Sequence, residues 1–115
     1  MSALADIARA QLTSAVENKE PVDDLGSLVF GRPNTIEKVL YFTHVTDMAE
    51  KTLVHRWILN GNVVAEVELS IGSDNWRTYS SKRIAPGMSG NWRVEAWGGD
   101  SLLGSHEFVY ELANQ

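Results

Sequence analysis

Residues 52–71 read TLVHRWILNGNVVAEVELSI, two extended runs joined by Asn60-Gly61. A two-residue turn of type I′ needs positive φ at both central positions, which asparagine and glycine tolerate best, so Asn60-Gly61 predicts a β-hairpin. Its second arm alternates: Val63, Ala65, Val67, Leu69 and Ile71 point inward, while Glu66, Glu68 and Ser70 point to solvent. Its first arm, Thr52 to Leu59, is apolar in both phases except for His55 on one side and Arg56 on the other. A strand covered on both faces is a central one.

The same period of two extends through most of the chain, cut by turn residues about every ten positions, the pattern of an all-β sandwich. The expected architecture is all-β: an Ig-like antiparallel β-sandwich of about seven strands, forming one domain over residues 1–115. The strands are Ala8–Val16, Glu37–Val45, Thr52–Leu59, Val63–Ile71, Trp76–Ile84, Asn91–Trp97 and Leu102–Leu112. Residues 2–8 leave a helical turn open, as does the polar connection Asp47–Lys51. Glu17–Asn34 shows no period, but Pro21, Gly26, Gly31 and Pro33 make it a long structured loop, and loops of this length in a compact domain often carry function.

The chain has 115 residues, 43% hydrophobic, with no cysteine and a formal charge of -5. An acidic surface repels a phosphate backbone, which argues against a general nucleic-acid binder. Without cysteine there is no disulfide, thiolate zinc site or cysteine nucleophile. No apolar run reaches 18 residues, so no membrane span is expected, and Met1 to Ala10 lacks the pattern of a secretory signal. The expected compartment is the cytoplasm if the sequence is the whole protein, and the periplasm if it is a trimmed piece of an anchored one.

The common catalytic and cofactor signatures are missing: no Gly-x-Ser-x-Gly elbow, phosphate loop, dinucleotide fingerprint or His-Glu-x-x-His motif. His44, His55 and His106 sit on three strands without metal-ligand spacing, and no cofactor is expected. An arginine on a central strand needs a partner, because an unpaired buried charge costs several kcal/mol. Arg56 or His55 therefore either holds an acid of the long loop, Glu20 being a candidate, or stays available to a ligand. An acid–base pair of His55 with Glu20 is the one enzymatic reading.

Between Asn75 and Val94 lie four cations, Arg77, Lys82, Arg83 and Arg93, and no anion, in a chain that is acidic overall. Period two puts Arg77, Tyr79, Ser81 and Arg83 on one face of their strand, opposite Trp76, Thr78, Ser80 and Lys82, and Arg93 need not join that face if the fifth and sixth strands belong to different sheets. Cations beside aromatics suit carboxylates, phosphates or acidic peptides; the structural alternative is pairing with Glu66, Glu68 and Glu95 across strands. Of the four tryptophans, Trp57, Trp76 and Trp92 read as core, while Trp97, next to Gly98-Gly99, reads as the surface indole.

Six segments together resemble a bacterial family catalogued as domain of unknown function 2914. They are Arg9-Ala10-Gln11-Leu12-Thr13, Glu20-Pro21-Val22-Asp23, Tyr41-Phe42-Thr43-His44, His55-Arg56-Trp57, Trp76-Arg77-Thr78-Tyr79-Ser80-Ser81-Lys82 and Gly90-Asn91-Trp92-Arg93-Val94. The resemblance covers nearly the whole chain. It implies a small β-rich module, often appended to other domains or behind a membrane anchor, with no established activity. It also implies that Arg9, Glu20, His55, Arg56, Arg77, Ser80 and Lys82 form one shared polar network.

The functional expectation is a non-catalytic binding module that engages an acidic ligand or protein segment. Its candidate ligand-binding residues are Arg77, Tyr79, Lys82, Arg93, Arg56, His55 and Trp97. The alternative is a carbohydrate-binding module that stacks a sugar on an exposed tryptophan. Edge strands leave a homodimer open.

Overall fold

The computed structural model describes residues 5–113. Seven long strands carry the sandwich: β1 (Asp6–Thr13), β5 (Glu37–Thr46), β6 (Thr52–Leu59), β7 (Asn62–Ser70), β8 (Asn75–Ile84), β9 (Gly90–Gly98) and β10 (Ser101–Leu112). The long loop contributes three short ones, β2 (Val16–Glu17), β3 (Glu20–Pro21) and β4 (Leu28–Gly31). No α-helix occurs among the described residues, and only Pro86–Met88 forms a 3-10 turn.

The strands form a small sheet of order β1-β5-β8, a large sheet of order β4-β10-β9-β6-β7, and the tiny hairpin β2-β3. All neighbours pair antiparallel except β4, which runs parallel to β10. The β6–β7 turn is of the expected kind: Asn60 has φ 49° and Gly61 φ 85°. As expected of a central strand, β6 lies between β9 and β7.

The two sheets face each other across one apolar cluster. Trp57, Trp92, Val94, Ala96, Phe108 and Tyr110 come from the large sheet, and Leu12, Val39, Tyr41, Val45 and Ile84 from the small one. Burying these side chains against a facing layer is what holds two otherwise half-wet sheets together. Met48, from the connection read as polar, enters the same cluster. That connection contains no helical turn; left-handed residues at Asp47 (φ 59°) and Glu50 (φ 64°) bend it tightly instead.

The first strand ends at Thr13 rather than Val16, because Val16 opens the β2-β3 hairpin. Of the stretch read as a helical turn, Asp6–Ala8 lie in β1, and residues 1–4 lie outside the described residues. The loop expected over Glu17–Asn34 is therefore partly regular. Asn18 and Lys19 (φ 51° and 61°) turn β2 into β3, and β4 then adds an edge to the large sheet beside β10. Gly31 lets β4 dock: a Cβ there would sit 1.7 Å from the Tyr110 hydroxyl.

Between β1 and β8, strand β5 is buried on both faces, from Val39 through Thr43. Its inner face meets the core. Its outer face, carrying Phe42, is covered by the β2-β3 segment, which crosses the outside of the small sheet. That crossing positions one of the polar networks described next.

Candidate functional site

The pleat of the two sheets sorts the seven expected site residues into separate layers. His55 points into the core between the sheets and is fully buried. Its Nε2 lies 3.1 Å from Thr43 Oγ1, and its Nδ1 lies 2.6 Å from Ser80 Oγ, which also accepts a 3.1 Å bond from Trp57 Nε1. Thr43 Oγ1 in turn lies 3.3 Å from the Thr78 carbonyl.

Counting protons fixes the direction of this chain. The Thr78 carbonyl can only accept, so Thr43 spends its single hydrogen there and must accept from His55 Nε2. The neutral ring is then bare at Nδ1, where Ser80 donates while accepting from Trp57, which can only donate. Every donor is used once, and the imidazole is neutral. Burial pushes the His55 pKa down to about 3. A neutral ring satisfied on both nitrogens and sealed from solvent is a structural part of the core, and no ligand reaches it.

Arg56, Arg93 and Trp97 occupy the outer face of the large sheet. Cross-strand register aligns Glu66, Arg56 and Glu95 on β7, β6 and β9, and sets Arg93 beside Glu107 on β10. Arg56 bonds Glu66 at 3.1 Å, and Arg93 bonds Glu95 at 2.8 Å and Glu107 at 2.9 Å. Glu95 is the buried member: burial pushes its carboxyl up, but bonds from Trp97 and Arg93 outweigh this and leave its pKa lowered. Trp97 Nε1 donates to it at 2.9 Å, and the Arg56 guanidinium lies 5.1 Å over the Trp97 ring. Beside this ladder, Ser27, Ile58, Asn91, Arg93, Glu107 and Val109 border an open cleft of about 520 Å³.

Arg77 and Tyr79 lie on the opposite side of the molecule, on the outer face of the small sheet. Along β8 the row Arg77, Tyr79, Ser81, Arg83 faces out, opposite His44, Phe42, Leu40 and Lys38 on β5. Glu20 of β3 clamps this face: its carboxylate bonds Arg77 at 2.6 Å and Arg9 of β1 at 2.9 Å, spanning β5. The two guanidinium groups, Arg9 first, hold the Glu20 pKa below its ordinary value. Beneath the clamp, Arg9 lies 5.1 Å over the ring of Phe42. Asp23 anchors the same crossing through the Thr13 hydroxyl (2.7 Å) and the Ser14 main-chain N–H (2.8 Å) and hydroxyl (2.6 Å).

The free end of that row is differently charged. Arg83 sits directly opposite Lys38, and Lys82 follows the other phase of β8, its ammonium donating to the Arg83 carbonyl at 3.1 Å. Among the described residues, no carboxylate pairs with Lys38, Lys82 or Arg83. Tyr79, midway along, is 48% exposed.

Several expectations are thereby corrected. Glu20 meets neither His55 nor Arg56, because the loop crosses the outside of the small sheet while His55 is sealed behind it; an acid–base pair of His55 and Glu20 has no geometry. The residues expected to share one polar network divide among three, the core around His55 and Ser80, the clamp of Arg9, Glu20 and Arg77, and the ladder holding Arg56, while Lys82 joins none of them and, among the described residues, bonds only the Arg83 carbonyl. Arg93 leaves the Arg77 face because β8 and β9 belong to different sheets. Trp76, read as core, is 37% exposed, whereas Trp97, read as the surface indole, lies on the outer face of the large sheet, partly exposed and covered by Arg56. Arg9, Lys38 and Arg83 were not among the expected site residues. For Arg83 the signal was its shared phase with Arg77 and Tyr79; Lys38 joins only through long-range pairing.

Among the described residues, no group of three or more His, Cys, Asp and Glu is placed to hold a metal, and no helix is long and apolar enough to cross a membrane.

No curated protein matches the chain. Solved structures share its fold. An immunoglobulin-like protein from Pseudomonas aeruginosa is similar with a TM-score of 0.64 at 15% identity, covering 96% of this chain and 98% of that one. The CARDB domain of a Pyrococcus furiosus protein, solved in complex with di-metal ions, is similar with a TM-score of 0.64 at 10% identity, covering 97% and 91%. A solution structure of that domain gives 0.59 at 11% identity, covering 98% and 100%. The all-β, Ig-like sandwich is thus the fold of this chain. The family described as Protein of unknown function (DUF2914) matches residues 50–110, more than half of the sequence, from the end of the β5–β6 connection through most of β10. With its fold and its polar networks in place, the chain belongs to that family.

Proposed function

We propose that the protein is a non-catalytic interaction module that takes an acidic ligand or partner segment on the outer face of the small sheet, along β8. The observation that carries this reading is the charge on that strand. Asn75–Ile84 holds three cations and no anion in a chain of net charge -5, and Lys38 adds a fourth cation beside Arg83. Arg93 and Arg56, also expected to take part, are shared among Glu66, Glu95 and Glu107 on the far side, and His55 is enclosed; on the outer face the reading therefore rests on Arg77, Tyr79, Arg83 and Lys38, with Lys82 on the other phase of the same edge strand. A carboxylate arriving there meets an exposed phenol and cations with spare capacity, a combination that favours charge-assisted hydrogen bonds. The non-catalytic part of the reading is supported by the Ig-like fold and by the absence of an accessible acid–base pair around the buried histidine.

Calorimetric titration tests it, using a ten-residue peptide of alternating glutamate and valine, its lysine counterpart, and a neutral oligosaccharide. The glutamate peptide alone should bind, weakening as salt rises, and the double substitution Lys38→Glu with Arg83→Glu should cost at least tenfold in affinity, about 1.4 kcal/mol. No binding of the glutamate peptide, or binding indifferent to the charge reversal, rejects the reading; binding of the oligosaccharide alone supports the sugar-stacking alternative instead.

A further inference from the structure

We propose that the free edge of β8 receives an extended acidic segment of a partner as an additional strand of the small sheet. This deepens the reading just given and rests on it.

The two main sheets present four edges: β1 and β8 on the small sheet, β4 and β7 on the large one. Strand addition needs a long, regular row of unpaired main-chain groups. β4 is four residues long. β1 is interrupted by a register shift between Ile7 and Arg9, and the β6–β7 ladder by one between Trp57 and Ile58. β8 differs from all three. It pairs with β5 over ten consecutive residues without a shift, from Glu37↔Ile84 to Thr46↔Asn75. Among the described residues, no main-chain group of 75–84 bonds the backbone of any segment outside that ladder. Half of its N–H and C=O groups therefore point away from the sheet, in the regular alternation that a further strand requires; side chains bond its main chain at Asn75 (Ser73), Thr78 (Thr43) and Arg83 (Lys82).

Charge selects the occupant. Two copies meeting antiparallel at β8 would bring Arg77 of each toward Lys82 and Arg83 of the other, and like charges opposed across strands repel. An acidic segment reverses the sign of every one of these contacts. Side chains directly opposed on neighbouring strands have Cβ atoms about 5 Å apart, so one row of the incoming strand lies beside Arg77, Tyr79, Ser81 and Arg83. The matching pattern has acids beside Arg77 and Arg83 and an apolar residue beside Tyr79. On the other row, an acid beside Lys82 draws its ammonium from the Arg83 carbonyl and so releases that carbonyl.

The test uses the full chain and the alternating glutamate–valine peptide, with two analogues that are N-methylated on one or the other set of alternate residues and carry the same charge. Hydrogen exchange read by NMR should show protection gained at alternate amides of Trp76–Ile84. One analogue should lose at least tenfold in affinity while the other binds within about twofold of the parent. If both analogues bind like the parent and no β8 amide gains protection, strand addition is wrong, although an acidic ligand on this face survives. If the parent peptide itself does not bind, the underlying reading fails and this inference falls with it. If the chain self-associates without peptide and protects the same amides, a second copy is the occupant and the proposal is overturned.

Discussion

Glu20 and Arg77, 57 positions apart in the sequence, meet at 2.6 Å on the outside of the small sheet. The same carboxylate reaches Arg9 on the opposite edge strand, so one side chain on a two-residue strand bridges both borders of a three-stranded sheet. Phe42 owes part of its burial to this strap, which lies over the middle strand.

Replacing Glu20 by glutamine should loosen the strap, which Asp23 still anchors at Thr13 and Ser14, and leave the sandwich intact. Hydrogen exchange at residues 14–27 should accelerate, and proteolysis should begin there, while core amides such as those of Trp57 and Val94 keep their protection. Acid should produce the same state in the unsubstituted chain. A carboxylate with a lowered folded pKa contributes stability that is present above its ordinary value of 4.5 and lost as the pH falls through the folded value. Loosening of 14–27 confined to pH below about 4.5 is therefore expected, and its absence in both experiments contradicts the clamp.

His55 gives the fold a wider pH dependence. Its folded pKa is about 3 against an ordinary 6.5, so the unfolded chain takes up the proton first as the pH falls. Stability should be full above about pH 6.5 and should drop by up to about 1.4 kcal/mol per pH unit toward pH 3 from this group alone. Urea unfolding at a series of pH values measures the slope, and His55→Gln should flatten it even if the variant is less stable throughout.

Ser80 is the hinge of the buried proton chain, accepting from Trp57 and donating to His55. Ser80→Ala strands an indole N–H and an imidazole nitrogen in the core, each costing about 1–3 kcal/mol. A loss of at least about 2 kcal/mol in chemical denaturation is expected. A near-neutral substitution would mean that Ser80 does not hold these two groups.

Gly31→Ala should detach β4. A methyl there collides with the Tyr110 hydroxyl, and forcing atoms into a packed site costs about 1–3 kcal/mol. The expected signature is local: faster exchange at Leu28–Gly31 and at the β10 amides facing them, with the β6–β7 hairpin unaffected.

Much of this architecture was legible because the long strands advertise themselves. Period two and ten-residue spacing exposed all seven, and Asn60-Gly61 announced its turn outright. The short strands escaped for physical reasons. β2 and β3 have two residues each, too few for any period, and Asn18-Lys19 makes a left-handed turn without the glycine that would signal one. Four residues of β4 likewise show no alternation to read. For the site, period two correctly placed Arg77, Tyr79, Ser81 and Arg83 in one row, and His55 and Arg56 on opposite faces. It could not say which sheet each strand joins. That long-range choice sent Arg93 to the far surface, brought Lys38 beside Arg83, and gave Glu20 to Arg9 and Arg77. The family pattern already held those last three residues together, although nothing local to them revealed that they touch.

The place of β10 has a consequence for how the molecule is made. The last strand of the sandwich to be synthesised lies between β4, one of the early ones, and β9. A nascent chain still missing residues 101–112 has nothing to seat Leu28–Gly31 against and leaves Trp92 without its stacked neighbour Phe108. Until β10 has emerged from the ribosome, the partly made sandwich carries an open seam of oily side chains, so the interval between the making of β9 and that of β10 is when the domain is most open to aggregation.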